Sequence, residues 1–222
     1  MSLTAEKIEL AFSMLGAKAI EDGRVVDLAV YGGSALALAY DLRQSTKDVD
    51  AVYERDKDFI PKAVAAIAVE LDLPEDWLND AVKGYLSENE PGNLIRFASY
   101  PSEANVGLRV FVPAPEYFFA MKCVDIRLGV GSNDVEDVKK LALVCNIKSA
   151  NEAIKIVESF YPGKRIPAKT SLALEEIFQS LDTNAELAAG RAGFDKALAQ
   201  HKIDKQEEKA KQPSPSPTRH TK

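Results

Sequence analysis

The sequence predicts an α+β protein, with a small mixed β-sheet flanked by helices and a helical C-terminal half. Two observations lead to this fold class. Short apolar runs typical of strands occur only before residue 114, and from Pro115 onward the apolar residues recur at helical spacing. The strands and helices of the first half do not alternate as a long βαβ series, which argues against a doubly wound dinucleotide-binding fold.

The first predicted elements are a helix over residues 4–22 and a buried strand over residues 25–31. Apolar residues of the helix recur at helical spacing, Thr4 can cap its first turn, and Asp22-Gly23 is typical of a helix end. The strand is a short, continuous apolar run. The glycines of Tyr31-Gly32-Gly33-Ser34 then predict a tight turn into the next helix.

Ten further elements are predicted after this turn. Those of the first half are helices over 34–41, 57–71 and 74–86 and strands over 46–53, 94–99 and 106–112. The second half has helices over 116–128, 134–145, 151–160 and 171–200. The predicted organisation is an α/β core over 1–114, a helical region over 115–200 that completes the site, and a disordered tail over 201–222. The tail is rich in Lys and Glu and then in Ser and Pro, a composition that cannot bury a core.

Composition narrows the possible functions. The chain has 222 residues, 46% hydrophobic and 28% charged, as in ordinary soluble proteins, and its net charge of −6 excludes a general nucleic-acid clamp. It lacks a signal sequence and any apolar run of about 20 residues, and Cys123 and Cys145 are far apart; these features predict a cytoplasmic protein with buried thiols and no membrane partner. His201 and His220 both lie in the tail, which argues against histidine-dependent nucleophiles and zinc sites in the body.

The segment with the most specific chemistry joins Gly32-Gly33-Ser34 to Asp48-Val49-Asp50. In a strand, residues i and i+2 share a face, so Asp48 and Asp50 should project together. Adjacent carboxylates repel unless a cation separates them, and Mg²⁺ commonly sits between carboxylates and substrate phosphates. The glycines allow close backbone approach, and Ser34 adds a hydroxyl and N–H groups at a helix start. Each piece alone reads as an ordinary turn or strand end; together they predict a nucleoside triphosphate and Mg²⁺ site.

These residues resemble the nucleotidyltransferase superfamily with the DNA polymerase beta-like fold, whose hallmark is Gly-Ser, a spacer and then Asp-x-Asp. Gly33-Ser34 and Asp48-x-Asp50 match that hallmark. The longer form, with Arg43-x-x-Thr46-Lys47 before the aspartates, is similar to the branch that contains the AbiEii-type toxins of bacterial toxin–antitoxin and abortive-infection systems. The resemblance spans roughly residues 25–145. It implies a Mg²⁺-dependent transfer of NMP from an NTP to an RNA or protein acceptor, with an antitoxin as a possible partner.

A second match to that branch lies in the helical half. Lys122 on a predicted helix is followed by Arg127 and then by Asp134-Val135-Glu136-Asp137, which opens the next helix. The resemblance implies that Lys122 pairs with triphosphate oxygens, and that Asp134 or Asp137 orients Lys122 or helps to activate the acceptor hydroxyl. Alternatives remain for these residues, because Lys122 also fits a solvated helix lysine and Asp134 a helix cap.

The resemblance also implies roles for the first motif. Asp48 and Asp50 would ligate Mg²⁺, and Gly32, Gly33 and Ser34 would hold the phosphates. One departure from the wider superfamily is visible, since many members carry a third carboxylate on a later strand and the strand over 106–112 has none.

Two other functions stay open at this stage. The first is a nucleotidyltransferase that modifies an antibiotic or a metabolite, which would share the site but need a pocket for a cationic acceptor. The second is a nucleotide-binding interaction module that has lost catalysis, which the missing strand acid favours and the intact aspartate pair opposes. The aromatic run Tyr117-Phe118-Phe119 could stack a base, although its position on an apolar helix face favours a place in the core.

Overall fold

The computed structural model describes residues 2–90, 92–124, 126–127, 132–163 and 166–180, and all structural statements below concern these residues. Within them the chain forms a mixed β-sheet and seven α-helices, which confirms the predicted α+β class. The predicted tail and the end of the last predicted helix, residues 181–222, lie outside the described residues. The proposed division at residue 114 stays a prediction.

The elements follow one another in chain order. The strands are β1 (Leu3–Thr4), β2 (Val26–Val30), β3 (Ser45–Thr46), β4 (Val49–Val52), β5 (Leu78–Asn79), β6 (Leu94–Ser102) and β7 (Asn105–Pro113). The helices are α1 (Ala5–Glu21), α2 (Gly32–Leu38), α3 (Ile60–Glu70), α4 (Pro115–Val124), α5 (Asp134–Val144), α6 (Ala150–Phe160) and α7 (Ala168–Ser180). A 3₁₀ helix covers Ala81–Tyr85.

The main sheet has the strand order β5-β4-β2-β7-β6. The central strand β2 runs antiparallel to β4 and parallel to β7, whereas β6 and β7 form an antiparallel hairpin. Strands β1 and β3 pair separately as a two-stranded antiparallel sheet. Because β2 leads directly into α2 and pairs with β4, the two halves of the Gly-Gly-Ser and Asp-x-Asp motif meet at one end of this sheet.

The core lies between the sheet and the helices that pack against it. Helix α1 buries Ile8, Phe12 and Leu15 completely, and the ring of Phe12 meets that of Tyr100 edge-on at 5.6 Å between centroids. The predicted start of this helix is confirmed, because Thr4 Oγ1 accepts a hydrogen bond from Lys7 N at 3.4 Å.

The prediction of a helix over 74–86 was wrong. This segment instead forms β5 and the 3₁₀ helix. Trp77 is fully buried, its Nε1 donates to Val64 O at 3.1 Å, and its carbonyl accepts from Val49 N at 2.7 Å. These long-range bonds hold the chain extended beside β4, and they outweigh the local helical spacing of the apolar residues.

The prediction of one strand over 46–53 was also wrong, because the segment divides into β3 and β4 with Asp48 in a bend between them. Helix α2 begins at Gly32 and ends at Leu38, earlier than the predicted range of 34–41. Strands β6 and β7 are longer than predicted, and they pair as far as Ser102 opposite Asn105.

Helices α4 to α7 confirm that the described residues after 114 contain no strand. Helix α4 packs against α5 and α6, and α7 against α6. Tyr117, Phe118 and Phe119 are at most 1% exposed, as their position on an apolar helix face indicated. Cys123 is a buried thiol as predicted, whereas Cys145 is only partly buried. Among the described residues, no helix has both the length and the apolar character needed to cross a membrane.

Candidate active site

The glycine turn packs tightly against the aspartate segment. Gly32 has φ +60°, a conformation that side chains rarely adopt, and a β-carbon there would lie 3.0 Å from Asp50 Cγ and closer still to Oδ2. A β-carbon at Gly33 would lie 2.6 Å from Thr46 Oγ1 and 2.8 Å from Arg43 Nη1. Both positions therefore require glycine because side chains of the chain itself fill the adjacent space.

Ser34 lies below this turn and not in the cavity. Its side chain is completely buried, and Oγ donates a hydrogen bond to Tyr31 O at 2.8 Å. The expectation that this hydroxyl contacts phosphate does not fit the observed geometry, because its proton is engaged and it has no exposed surface. Ser34 instead holds the first turn of α2 against the end of β2.

A buried tyrosine fixes the same turn from the other side. Tyr31 is fully buried, its main-chain N–H donates to Asp50 O at 2.8 Å, and its hydroxyl donates to Glu90 Oε1. Burial, together with the negative charge of Glu90, raises the pKa of Tyr31 far above its usual range, so the phenol stays protonated and keeps this bond. Tyr31 thus ties the glycine turn to β4 and to the loop after the 3₁₀ helix.

Asp48 and Asp50 line the same cavity, although Asp48 lies in the bend before β4 and not within the predicted strand. Both are half-buried, whereas the intervening Val49 is fully buried on the opposite side. Asp48 Oδ2 accepts a hydrogen bond from Asn79 Nδ2 at 3.2 Å, and Asn79 Oδ1 accepts from Ala81 N at 3.1 Å. Strand β5 therefore positions one carboxylate of the pair, through a residue that the sequence placed on a helix.

The two carboxylates influence one another. Burial and then the negative charge of Asp48 raise the pKa of Asp50 above the ordinary value of 3.8, while the charges of Lys122 and Arg127 oppose the shift. A carboxylate whose pKa is raised in this way is stabilised by a cation beside it, since the positive charge offsets both the cost of burial and the repulsion from Asp48.

The second predicted group forms a compact ion-pair network. Lys122 Nζ lies 2.9 Å from Asp137 Oδ2 and 3.4 Å from Asp134 Oδ1. Both aspartates are almost completely buried at the start of α5, with 2–3% of their surface exposed. The structure therefore brings Lys122 of α4 together with both candidate partners and not with one alone.

Two arginines complete this network. Arg43 donates from Nε to Asp137 Oδ1 at 3.0 Å and from Nη2 to Oδ2 at 2.7 Å, the bidentate geometry typical of arginine and carboxylate. Arg127 donates from Nε to Asp134 Oδ2 at 2.8 Å, and its main-chain N–H donates to the same oxygen at 3.2 Å. Each buried carboxylate thus has an arginine and shares Lys122.

The network keeps the Asp134 carboxylate ionised despite its burial. Burial alone would raise the pKa of Asp134, but the hydrogen bond from Arg127 and the charge of Lys122 outweigh it and lower the pKa from 3.8 to about 2. Asp134 is therefore negative throughout the neutral range, and its nearest cations hold it in place. Asp134 is the first residue of α5 and Asn133 holds the N-cap position, so the helix-cap alternative for Asp134 does not fit; the main-chain N–H of Asp134 donates to Ser132 Oγ at 3.2 Å.

One polar cavity of about 550 Å³ joins the two groups. It is lined by side chains or backbone of both motifs and of the loop before β4: Ser2, Gly32, Gly33, Arg43, Ser45, Thr46, Lys47, Asp48, Asp50, Lys122, Arg127, Ser132 and Asn133. Positive side chains outnumber negative ones on this wall although the whole chain is acidic. Such a wall attracts a polyanion while the aspartate pair offers ligands to a cation.

The residues present fit a Mg²⁺ ion that is bound jointly by the protein and by the phosphates of a substrate. No group of three or more His, Cys, Asp or Glu side chains with metal-binding geometry occurs in the described ranges, so Asp48 and Asp50 have no third such ligand there. Mg²⁺ is ordinarily held by one or two carboxylates together with substrate phosphates and water, whereas Ca²⁺ and Zn²⁺ need more protein ligands.

The comparison with protein families agrees with this geometry. A family model described as a nucleotidyltransferase of unknown function (DUF6036) matches residues 13–161, more than half of the chain. The chain belongs to this nucleotidyltransferase family. The match covers the glycine turn, the aspartate pair and the Lys122 network together. No curated protein and no solved structure is significantly similar to the chain.

Membership in this nucleotidyltransferase family supports the superfamily that the motifs resemble, while the narrower resemblance to AbiEii-type toxins stays a prediction. The strand without an acid is β7, which lies next to β2. There Arg109 forms a fork with Asp27, at 2.5 Å from Nε to Oδ1 and 2.8 Å from Nη2 to Oδ2, and Phe111 lies opposite Ala29. A basic and an aromatic residue thus occupy the part of β7 that faces the same way as Asp27 and Ala29.

Sequence reasoning missed several residues of this nucleotidyltransferase site. Arg43 and Arg127 were noticed as parts of motifs but received no role, although an arginine near two buried carboxylates is a common signal of an ion pair. Asn79 was hidden by the wrong helix prediction over 74–86. Tyr31 and Glu90 are far apart in sequence, and no local pattern indicates their contact.

Proposed function

We propose that this nucleotidyltransferase family member is a Mg²⁺-dependent enzyme that transfers NMP from an NTP to an RNA or protein acceptor. The observation that carries the proposal is the convergence, on one polar cavity, of Gly32, the pair Asp48 and Asp50, and the basic residues Lys122 and Arg127. The cavity thus combines ligands for a hard cation with positive groups for a triphosphate.

The reaction would be an in-line displacement. An acceptor hydroxyl oxygen forms a bond to the α-phosphorus, the bond from that phosphorus to the bridging oxygen breaks, and pyrophosphate leaves with the electron pair. Mg²⁺ held by Asp48 and Asp50 would neutralise the charge that develops on the phosphate oxygens. The acceptor's proton passes to a base or to water, and the chain's own part is mainly positioning.

The basic residues would hold the leaving group. Lys122 and Arg127 line the cavity beside Asp50, where their charges would pair with triphosphate oxygens. The contacts of Asp134 and Asp137 support a positioning role for both, because arginine and lysine donors surround their oxygens. Activation of the acceptor hydroxyl by Asp134 has less support, since a carboxylate with a lowered pKa is a weak base.

The experiment is incubation of the purified protein with each α-labelled NTP and Mg²⁺, with total RNA or cell lysate as acceptor. We expect labelled product with the wild type, and a loss of about 100-fold or more in Asp48→Asn and Asp50→Asn, which keep the side-chain shape. Asp58→Asn is the matched control, because its carboxylate is 74% exposed and pairs only loosely with Arg24, at 3.4 Å. Full transfer by both active-site variants would contradict the metal role.

The toxin role rests on the resemblance to AbiEii-type toxins and is the finer part of the proposal. If it holds, expression of the wild type in a bacterial host arrests growth, and Asp50→Asn relieves the arrest at equal protein level. If the host grows normally while the wild-type protein is active in the transfer assay, the proposed enzyme activity stands and the proposed toxin role is contradicted.

A nucleotide-binding module without catalysis is the second candidate. It is favoured by β7, which carries Arg109 and Phe111 and no carboxylate. On this reading the wild type binds NTP and Mg²⁺ in the polar cavity, and no acceptor receives label. Label transfer above that of Asp50→Asn would eliminate this candidate.

A further inference from the structure

A second cavity of about 270 Å³ opens beside the polar one. The two cavities share four lining residues, Gly32, Asp50, Lys122 and Arg127. They are therefore adjacent compartments that meet beside Asp50. A ligand longer than one compartment can extend from one into the other across these shared residues.

The two compartments differ in chemistry. Beyond the shared residues, the second cavity is walled by Ala81, Val82 and Tyr85 of the 3₁₀ helix and by Phe118 and Met121 of α4, with Asp134 at the charged side. Burying a phosphate against such an apolar wall would be costly, because nothing there replaces its hydration. A flat, largely apolar group is the better occupant.

Tyr85 supplies an accessible ring in this wall. It is 44% exposed although it is large and aromatic, and its carbonyl accepts a hydrogen bond from Tyr161 Oη at 2.7 Å. The backbone of Tyr85 is thus fixed to the helical half while its ring borders the cavity. Nucleobases stack on exposed aromatic rings of this kind, largely regardless of which base is present.

We propose that the second cavity is the nucleoside subsite of the donor NTP, with the base against Tyr85 and the wall formed by the 3₁₀ helix and α4. This assignment rests on the proposed function and adds the orientation of the donor to it. The β- and γ-phosphates lie in the polar cavity, and the α-phosphate lies where the two cavities meet, beside Asp50. The acceptor then approaches from outside both compartments.

The test measures binding to the full chain without any acceptor. The probes are ATP, GTP, CTP, UTP and inorganic tripolyphosphate, each titrated calorimetrically in Mg²⁺. Ala81→Trp places a large ring in the cavity from an exposed position, so the core is left intact. Tyr85→Ala removes the stacking ring instead. Gly84→Trp is the matched control, because it adds the same ring on the same 3₁₀ helix where a β-carbon meets open space.

We expect the wild type to bind at least one NTP more tightly than tripolyphosphate. Ala81→Trp and Tyr85→Ala should each bind that NTP about tenfold more weakly than the wild type, while their affinity for tripolyphosphate is unchanged. Gly84→Trp should bind both the NTP and tripolyphosphate as tightly as the wild type does. If Ala81→Trp fails to fold, Tyr85→Ala still allows the comparison of NTP with tripolyphosphate, because it only shortens an exposed side chain.

Three results would overturn the assignment. Equal wild-type affinity for NTP and tripolyphosphate would show that no nucleoside subsite exists, while the proposed function stands. Unchanged NTP affinity in both cavity variants, with transfer lost, would assign the cavity to the acceptor. If the wild type binds none of the probes, the proposed function and this subsite are both contradicted.

Discussion

Gly32 faces the carboxylate of Asp50 so closely that a β-carbon at position 32 would overlap Oδ2 and lie 3.0 Å from Cγ. The glycine turn and the aspartate pair are therefore one packed unit, in which the conformation of Asp50 depends on the absence of a side chain at Gly32. This relationship gives the first prediction.

Gly32→Ala should displace the Asp50 carboxylate and strain the backbone, which has φ +60° at that position. We expect a loss of about 1–2 kcal/mol in unfolding free energy from the backbone and about 100-fold in NMP transfer from the moved carboxylate. Gly23→Ala is the control, because φ is +69° there and a β-carbon meets nothing within 4 Å. It should lose stability alone, and a similar loss of transfer in both variants would contradict the proposed link to Asp50.

Arg43→Lys tests the fork on Asp137. A lysine ammonium cannot donate two parallel hydrogen bonds, and Asp137 is 2% exposed, so one of its contacts would be lost without water to replace it. We expect the unfolding free energy, measured by urea denaturation, to fall by about 1–3 kcal/mol.

Arg109→Lys is the matched control for this substitution, because Arg109 makes the same fork with Asp27 where both side chains are more than 40% exposed. We expect a change within about 0.5 kcal/mol there. Equal losses at the two arginines would mean that burial does not set the strength of these pairs.

Asn79→Ala tests whether β5 positions Asp48, one of the two carboxylates proposed to bind Mg²⁺. The substitution removes the donor to Asp48 Oδ2 at 3.2 Å and leaves both aspartates in place. Loss of a hydrogen bond to a carboxylate that ligates a metal commonly changes metal affinity by about tenfold or more. We therefore expect the half-saturating Mg²⁺ concentration for NTP binding to rise about tenfold. Asn105→Ala, an exposed residue at the β6–β7 turn, should leave it unchanged.

The lowered pKa of Asp134 predicts a loss of stability in acid. The folded-state pKa of about 2 is below the ordinary value of 3.8, so the stabilisation is complete above about pH 4 and is lost as the pH falls toward 2. The difference corresponds to about 2 kcal/mol. Urea denaturation between pH 2 and pH 6 should show a shallower acid decline in Asp134→Asn than in the wild type.

Glu136→Gln serves as the control for this pH dependence, since Glu136 lies on the same turn of α5 but is 62% exposed and pairs with Lys139 at 3.2 Å. It should retain the wild-type acid decline. An Asp134→Asn variant with the same decline as the wild type would assign the acid sensitivity to other carboxylates.

Local patterns predicted the elements whose stability is local. Helix α1 followed from its apolar spacing and from the Thr4 cap, and the α+β class followed from strand-like runs that stop before Pro115. The same reasoning failed at residues 74–86, where helical spacing gave way to the pairing of β5 with β4 and the burial of Trp77. Pattern reasoning fails there because the deciding hydrogen bonds come from residues far away in sequence.

The sequence by itself determined the candidate site residues of this protein, namely the glycine turn, the Asp48 and Asp50 pair, and the later lysine and aspartates. Residue type and short-range spacing are enough for this, because the order of Gly-Gly-Ser, a spacer and Asp-x-Asp can be recognised without knowing which residues contact one another. Only the tertiary structure decided which groups meet. It turned Ser34 inward, placed Asn79 on Asp48, and joined Arg43 and Lys122 at Asp137, through contacts that depend on strand order and on burial.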